Sequence, residues 1–247
     1  HAVQKIEISN NHASKILFKD GFKSVDGIVA SADYHHVETL ISKEFRNYSE
    51  RYWENRVFAP SSLLFYLGIS EKIPRLEHHN LFFDEDIEQH AKELYENEVW
   101  PTKPLFYACC TSKTDTKVAP EGMENLFLLM PIAAGLEDND KLREEYFNVM
   151  MNRLEKYTKF KIRDHIVYKR SYCVSDFIND YNAYKGNAYG LANTLRQTAN
   201  LKPKLKSKLI NNLFFAGQLT VPGPGVPPAL ISGQIAAEQL NHYLNGK

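Results

Sequence analysis

Residues 212–244, NLFFAGQLTVPGPGVPPALISGQIAAEQLNHYL, constrain the fold more than any other stretch of the chain. An apolar run stops at Gly217, and the seven residues from Pro222 to Pro228 hold four prolines and two glycines. Proline fixes φ and glycine frees it, so a loop of this composition takes a defined path with few side chains in the way. Residues 212–217 read as a buried strand and 227–244 as a helix, with Pro228 suited to the first helical position. Ala229, Ser232, Gly233, Ala236 and Ala237 lie on or near one helical face, which lets the helix press on a sheet or a flat ligand. The amino terminus of such a helix favours negative charge. Pro227 and Pro228 carry no N–H, so the donors are expected from Ala229, Leu230 and Ile231.

Gly223 and Gly225 form the only G-x-G among twelve glycines, and position 228, where a third glycine belongs, is proline. Only 22 residues follow Gly225. That is too short for the helix, second strand and ribose-binding acid of a dinucleotide βαβ unit. On the residues alone, a structural loop and a ligand-binding loop both stay open.

The 247 residues suit one large domain or two modest ones. A chain 43% hydrophobic and 24% charged has a real core, and zero net formal charge gives no sign of a nucleic-acid partner. Three cysteines, two of them adjacent, do not make a disulfide framework, so a reducing compartment is expected. The longest apolar run, 126–136, is too short to span a membrane and carries Pro131 and Gly135. The first residue is His1 and the first methionine is Met123, so the chain is expected to be part of a longer product.

Three runs at the start, 3–8, 14–21 and 22–33, read as strands, with turns at Asn10-Asn11 and Asp20-Gly21. Residues 36–56 read as one helix. Residues 61–70, 104–112 and 124–133 read as strands buried in a sheet. Residues 84–98 read as a polar helix. Residues 137–158 read as a long amphipathic helix whose inner face carries Leu142, Tyr146, Val149, Met150, Arg153 and Leu154. Residues 176–195 read as irregular with a helix at the end. This order of elements predicts an α+β chain in which the two ends meet around an intervening domain. The expected division is 1–37, 38–205 and 206–247.

Several signals carry less. His35-His36 and His78-His79 lack H-x-x-x-H spacing, and adjacent strand residues point to opposite faces, so no metal site is expected. Cys109 and Cys110 read as buried apolar thiols. Lys202, Lys204, Lys206 and Lys208 alternate along an extended segment. They suit a solvated edge strand or a face toward anionic lipid.

The terminal stretch resembles the carboxyl-terminal flavin-binding segment of bacterial carotenoid desaturases of the phytoene desaturase type, within the amine-oxidase-like flavoproteins. The family form is roughly strand, Gly-Ala-Gly, His-Pro-Gly-Ala-Gly-Val-Pro-Gly and helix. This sequence keeps Pro222, Gly223, Gly225, Val226 and Pro227, with Val221 in place of the usual histidine and Pro228 in place of the usual glycine. That variant is similar to flavobacterial members. VDGIVASADYHHVETLI, TSKTDTKVAPEGMENLFLLMPIA and GNAYGLANTL resemble family segments in the family's order. The amino-terminal G-x-G-x-x-G unit of the family has no counterpart, so the resemblance implies the carboxyl-terminal half of an α/β, Rossmann-like, two-domain FAD-binding protein with a mixed-sheet substrate domain.

The resemblance also implies a chemistry: FAD-dependent removal of hydrogen across carbon–carbon bonds of phytoene or a related carotenoid precursor. It implies cofactor contacts at Ala32, Asp33, Gly217, Gln218, Gly225, Val226, Pro227, Pro228, Ala229 and Leu230, with Asp33 equally readable as a turn cap. For an apolar substrate tunnel it points to Phe65, Tyr66, Phe106, Tyr107, Tyr184 and Tyr189, against a competing reading of each as core. No general base is assigned. Such a protein is expected in the cytoplasm, peripheral on the inner face of the plasma membrane. A carotenoid isomerase, a retinol-saturase-like flavoprotein and a non-catalytic module for apolar lipids are the competing functions. The 247 residues alone are expected to hold FAD weakly or not at all.

Overall fold

A computed structural model describes residues 1–246. The first strands are β1 (Lys5–Ser9), β2 (His12–Phe18), β3 (Gly21–Ser24) and β4 (Ile28–Ala30), followed by the short helices α1 (Tyr34–Thr39) and α2 (Glu50–Glu54). Next come β5 (Ser61–Ile69), β6 (His79–Phe82), α3 (Ile87–Tyr95), β7 (Phe106–Cys109) and β8 (Glu124–Ile132). The remaining elements are α4 (Asp140–Thr158), β9 (Ile166–Tyr172), α5 (Val174–Tyr181), β10 (Leu213–Phe215) and α6 (Val226–Asn245). The chain divides into two compact units, one made of His1–Ala59 with Ile178–Lys247, the other of Pro60–Phe177.

In the first unit β1, β2 and β3 form an antiparallel meander. Asn10 and Asn11 both take positive φ, 50° and 58°, the pair of left-handed residues that a tight β1–β2 hairpin needs. The run 22–33, read as one strand, is two. β3 pairs antiparallel with β2, whereas β4 pairs in parallel with β10, and the chain changes sheets between them. Asn212 joins the two sheets. Its buried amide accepts from Ala13 N at 2.7 Å and donates to Ala13 O and Asp26 O, both at 2.9 Å.

Residues 36–56 do not form the single helix expected. The chain folds back on Glu38, 1% exposed, whose carboxylate accepts from Asn47 N, Tyr48 N and Trp53 Nε1. Three local donors hold the turn more firmly than helix propensity can oppose it, and Ser49 then caps α2 through Tyr52 N. Tyr34 stacks on Phe215 with ring centroids 3.8 Å apart. Residues 38–59 and 178–205, placed by sequence in the intervening part, therefore group with the first unit. Ala59 N donates to Gly190 O and Val57 N to the Gln197 side chain. The helix read at the end of 176–195 lies at its start, as α5, because Asn182 and Lys185 turn left-handed after it.

The second unit is a five-stranded antiparallel sheet in the order β6-β7-β8-β5-β9. Leu63, Phe65 and Leu67 of β5, Phe106 of β7 and Leu126, Leu128 and Met130 of β8 pack with Phe147, Met150, Met151 and Leu154 of α4. The helix ends where expected but starts three residues later, after its cap Asn139, and its buried face is rotated. Phe147 and Met151 face inward while Val149 is 39% exposed. The first half of β5, Ser61 to Phe65, is buried on both faces as read, but β8 is not. Burial along β8 alternates strictly, one face core and one half-exposed.

Arg143 of α4 is a buried joint of this unit. It bonds Asp138 at 2.6 Å and Asp176 at 2.7 Å, and reaches Ser171 and Ser175. Burial pushes the Asp138 carboxyl up, but hydrogen bonds from Cys173, Ser175 and Arg143 outweigh it and hold it below the usual carboxylate range. A depressed folded pKa adds stability that is present above the unfolded value, about 3.9, and is lost as pH falls through the folded one. Arg143→Met removes one partner of a buried pair. It should lower stability by about 3–5 kcal/mol in denaturant melts and flatten the acid limb of the stability profile.

Candidate functional site

β4 and β10 run side by side in parallel, Leu213 against Ile28 and Phe215 against Ala30. Their carboxyl ends open at the same edge, the usual position of a ligand in parallel sheets. Ala32 is exposed there. Gly217 follows β10 with φ 113°, and a Cβ on it would meet nothing nearer than Ser31 O at 3.9 Å, so the space past the strand end is open. α6 begins at this edge. Ser232 of α6 accepts from Gly217 N at 2.8 Å and donates to Ala229 O at 2.6 Å, which fixes the helix against the strand end. Sequence reading counted Ser232 only as a small residue; its role as a cap across 15 positions leaves no local signal.

The helix starts one residue earlier than read, at Val226, with Gly225 as its cap. Ala229 N therefore bonds Gly225 O at 3.0 Å, and Leu230 and Ile231 lie within the helix's own ladder. They are not the free donors that the sequence suggested. Pro227 and Pro228 remove two of the four first N–H groups, leaving those of Gly225 and Val226 outside the helix's own ladder. The side chains of Val226 and Leu230 are 75% and 71% exposed.

Asp33 is a structural cap. Its carboxylate accepts from His36 N, Tyr184 N and the Asn187 amide. Burial raises its pKa against those three bonds. Asn187 in turn accepts from Gln218 Nε2 at 3.1 Å. Asp33, Asn187 and Gln218 thus form one chain of hydrogen bonds that fixes the backbone after β10. Gly190 closes it: its φ is 79° and a Cβ would lie 2.8 Å from Gln218 O, which excludes any side chain. Tyr184 packs on His35 and Phe58 in this unit, and Tyr189 is 41% exposed.

Under the proline–glycine loop lies Lys202, 1% exposed. Its Cε sits 2.9 Å from where a Cβ on Gly223 would stand, and its Nζ reaches Leu191 O at 3.4 Å. Burial pulls its pKa down. Lys204, Lys206 and Lys208 point to solvent instead, and the segment pairs along the outer edge of β10 through Lys206 and Phe214. That is the edge-strand arrangement, with its first lysine turned inside.

In the second unit the face of the sheet away from α4 is aromatic. Tyr66, Phe127, Tyr107 and His79 run across β5, β8, β7 and β6 with successive ring centroids 5.3, 6.5 and 5.9 Å apart. Phe65 and Phe106, named beside Tyr66 and Tyr107 as substrate residues, are each 1% exposed on the other face, in the core. Neighbours along a strand point to opposite faces, so each pair splits one and one. Phe127 was missed, although Tyr66 lies directly opposite it in the register. The two histidines also depart from expectation. His78 precedes β6, outside the pleat, so its ring lies 4.2 Å from that of His79 rather than on the far side.

Solved structures with this fold include UDP-galactopyranose mutase in its reduced form and an oxidoreductase from Methanosarcina mazei. The first superposes with a TM-score of 0.60 at 15% identity over 100% of this chain and 46% of its own. The second gives 0.59 at 14% over 96% and 48%. The chain has the fold of part of a two-domain, FAD-binding type of oxidoreductase. In sequence it is 44% identical to the carotenoid 3,4-desaturase of Haloarcula japonica over 216 residues, 87% of this chain and 44% of that protein. It is 29% identical to the 4,4'-diaponeurosporene oxygenase of Staphylococcus aureus over 247 residues, 97% of this chain and 49% of that protein. The chain belongs to the carotenoid desaturase-type, amine-oxidase-like proteins. It spans about half the length of the curated relatives it matches. No family model matches it.

Lys202 supplies a test of the first site. A lysine with a lowered folded pKa binds fewer protons folded than unfolded, so its charge opposes folding at neutral pH and stability rises toward its unfolded value of 10.5. Lys202→Met should raise the melting temperature by roughly 2–4 °C, about 1 kcal/mol, and remove that alkaline rise. An unchanged or lower melting temperature shows that the cation is satisfied where it lies.

Proposed function

We propose that this chain is part of a flavin-dependent oxidoreductase that desaturates a carotenoid precursor, phytoene or a close relative. The observation that carries the reading is the strand–loop–helix edge at Gly217 and Val226. It offers an open approach, two helix-end N–H groups and one buried cation beneath the loop, a combination suited to a flat ring that gains negative charge. Bound FAD would supply the hydride-accepting ring.

The chain's own residues then have separate tasks. Gly217 leaves room for the ring or its ribityl chain to lie against the backbone. The N–H groups of Gly225 and Val226, with the α6 dipole, favour the reduced, more negative state by roughly 0.3–2 kcal/mol. Lys202 adds charge of the same sign from below. The Asp33–Asn187–Gln218 bonds hold the strand end in register, a positioning task rather than a chemical one.

The open aromatic face of the second unit suits the substrate. Tyr66, Phe127 and Tyr107 present ring surface across three strands, which a long apolar isoprenoid can cover. The names of the relatives, a desaturase and an oxygenase, support carotenoid-modifying redox chemistry; the choice of desaturation over oxygenation follows the first of them. Such a substrate lives in lipid, so we place the whole protein at a membrane surface. No helix among the described residues is long and apolar enough to cross one.

The whole protein, expressed in a phytoene-producing host, should purify yellow with bound flavin. The host should accumulate products shorter of two hydrogens per step and absorbing at longer wavelength. Oxygenated end groups would favour the oxygenase reading, and unchanged phytoene beside a flavin-loaded protein would end the desaturase one. Tyr66→Ala should raise KM for the carotenoid about tenfold, the equivalent of ~1.4 kcal/mol, with the flavin spectrum unaltered.

A further inference from the structure

We propose that His78, His79 and Cys109 form a binding site for a borderline-soft divalent transition metal, zinc in the first instance. One ligand atom from each residue lies within 4.8 Å of the other two. The placement follows from pairing. β6 and β7 are antiparallel, and their register sets His79 directly opposite Cys109, which puts both side chains on one face. His78 joins them from outside the strand, anchored by its carbonyl, which accepts from Cys110 N at 2.8 Å.

Both rings are held from behind. His78 Nδ1 lies 2.6 Å from Thr114 Oγ1, and His79 Nδ1 lies 2.5 Å from the Tyr107 hydroxyl. With each Nδ1–H donating to its hydroxyl, the lone pair stands on Nε2, the tautomer a metal takes. The Tyr107 hydroxyl, accepting from His79, keeps its own proton, and it shares a strand face with Cys109 two residues on. A thiolate held by a hydroxyl donor is the usual surrounding of a metal-bound cysteine.

Zinc binds nitrogen at about 2.0–2.1 Å and thiolate at about 2.3 Å, so ligand atoms around it stand about 3.5 Å apart. The three atoms must close by about 1 Å, within reach of ring rotation at the exposed His79. Two imidazoles and a thiolate select zinc, cobalt or copper over magnesium and calcium. Three protein ligands at an accessible edge leave a fourth position for water, the arrangement of a reactive rather than a closed structural site. Binding would displace the Cys109 thiol proton to solvent. The other two cysteines, Cys110 and Cys173, are fully buried. The site lies in the second unit and does not depend on the flavin reading.

The test is a cobalt titration of the metal-free chain near neutral pH. One cobalt per chain should appear with a thiolate-to-cobalt charge-transfer band and the intense visible bands of four-coordination, and zinc should bleach both. Cys109→Ser should lose the charge-transfer band, and His79→Gln should weaken binding at least tenfold, each with the circular dichroism of the parent. In the unsubstituted chain, zinc should also slow alkylation of Cys109, read by mass spectrometry. A parent chain without a thiolate band, a band that survives in Cys109→Ser, or alkylation indifferent to zinc would each overturn the proposal.

Discussion

Three residue pairs between β4 and β10 join positions about 185 apart in the sequence, and the first unit is arranged around them. Parallel pairing needs a long crossover, and here the crossover includes a whole second unit. The entropy of closing so large a loop grows slowly with its length, so the pairing is held by what surrounds it. Asn212 bridges it to the meander through three side-chain bonds, and Tyr34 stacks on Phe215 from the helix that follows β4. The carboxyl ends of the two strands then open at one edge, which holds Ala32 and Gly217 and is closed on one side by Ser232 of α6.

The loop between β10 and α6 illustrates how a helix end is tuned by what it lacks. Two prolines in the first turn delete half of its orphan donors while leaving the dipole intact. The result is a site that attracts negative charge broadly but directs it with only two N–H groups. Lys202 strengthens the same field from beneath, at an expense in stability that a purely structural loop has no reason to bear. Proteins commonly hold buried charge of this kind where they act on ligands.

The second unit shows the complementary case, a sheet whose second face is only partly covered. Its core is ordinary: branched and aromatic side chains against Phe147, Met150, Met151 and Leu154 of one long helix. The other face carries a row of rings where a surface sheet normally carries polar residues. Apolar residues on both faces of β8 are legible in the sequence, but the half-exposed face they leave points to a ligand rather than to a second layer of core.

By itself the sequence determined the strands and helices with long or strict patterns: β5, β8, α3, α4 and the terminal strand–loop–helix, whose proline and glycine content admits few other paths. It also carried the resemblance to the desaturases, since that rests on order and spacing of short motifs. Only the tertiary structure decided where the turns of 36–56 fall, because a single buried carboxylate, Glu38, gathers donors that pattern reading treats as exposed. It decided which of Phe65 and Tyr66, or of Phe106 and Tyr107, faces the core, since period-two alternation fixes that they differ but not which is which. It brought His78 and His79 to one side of β6, and Lys202 into the interior while its three sisters stayed in water. In each case the deciding partner lies far along the chain, and a residue's local neighbours carry no record of it.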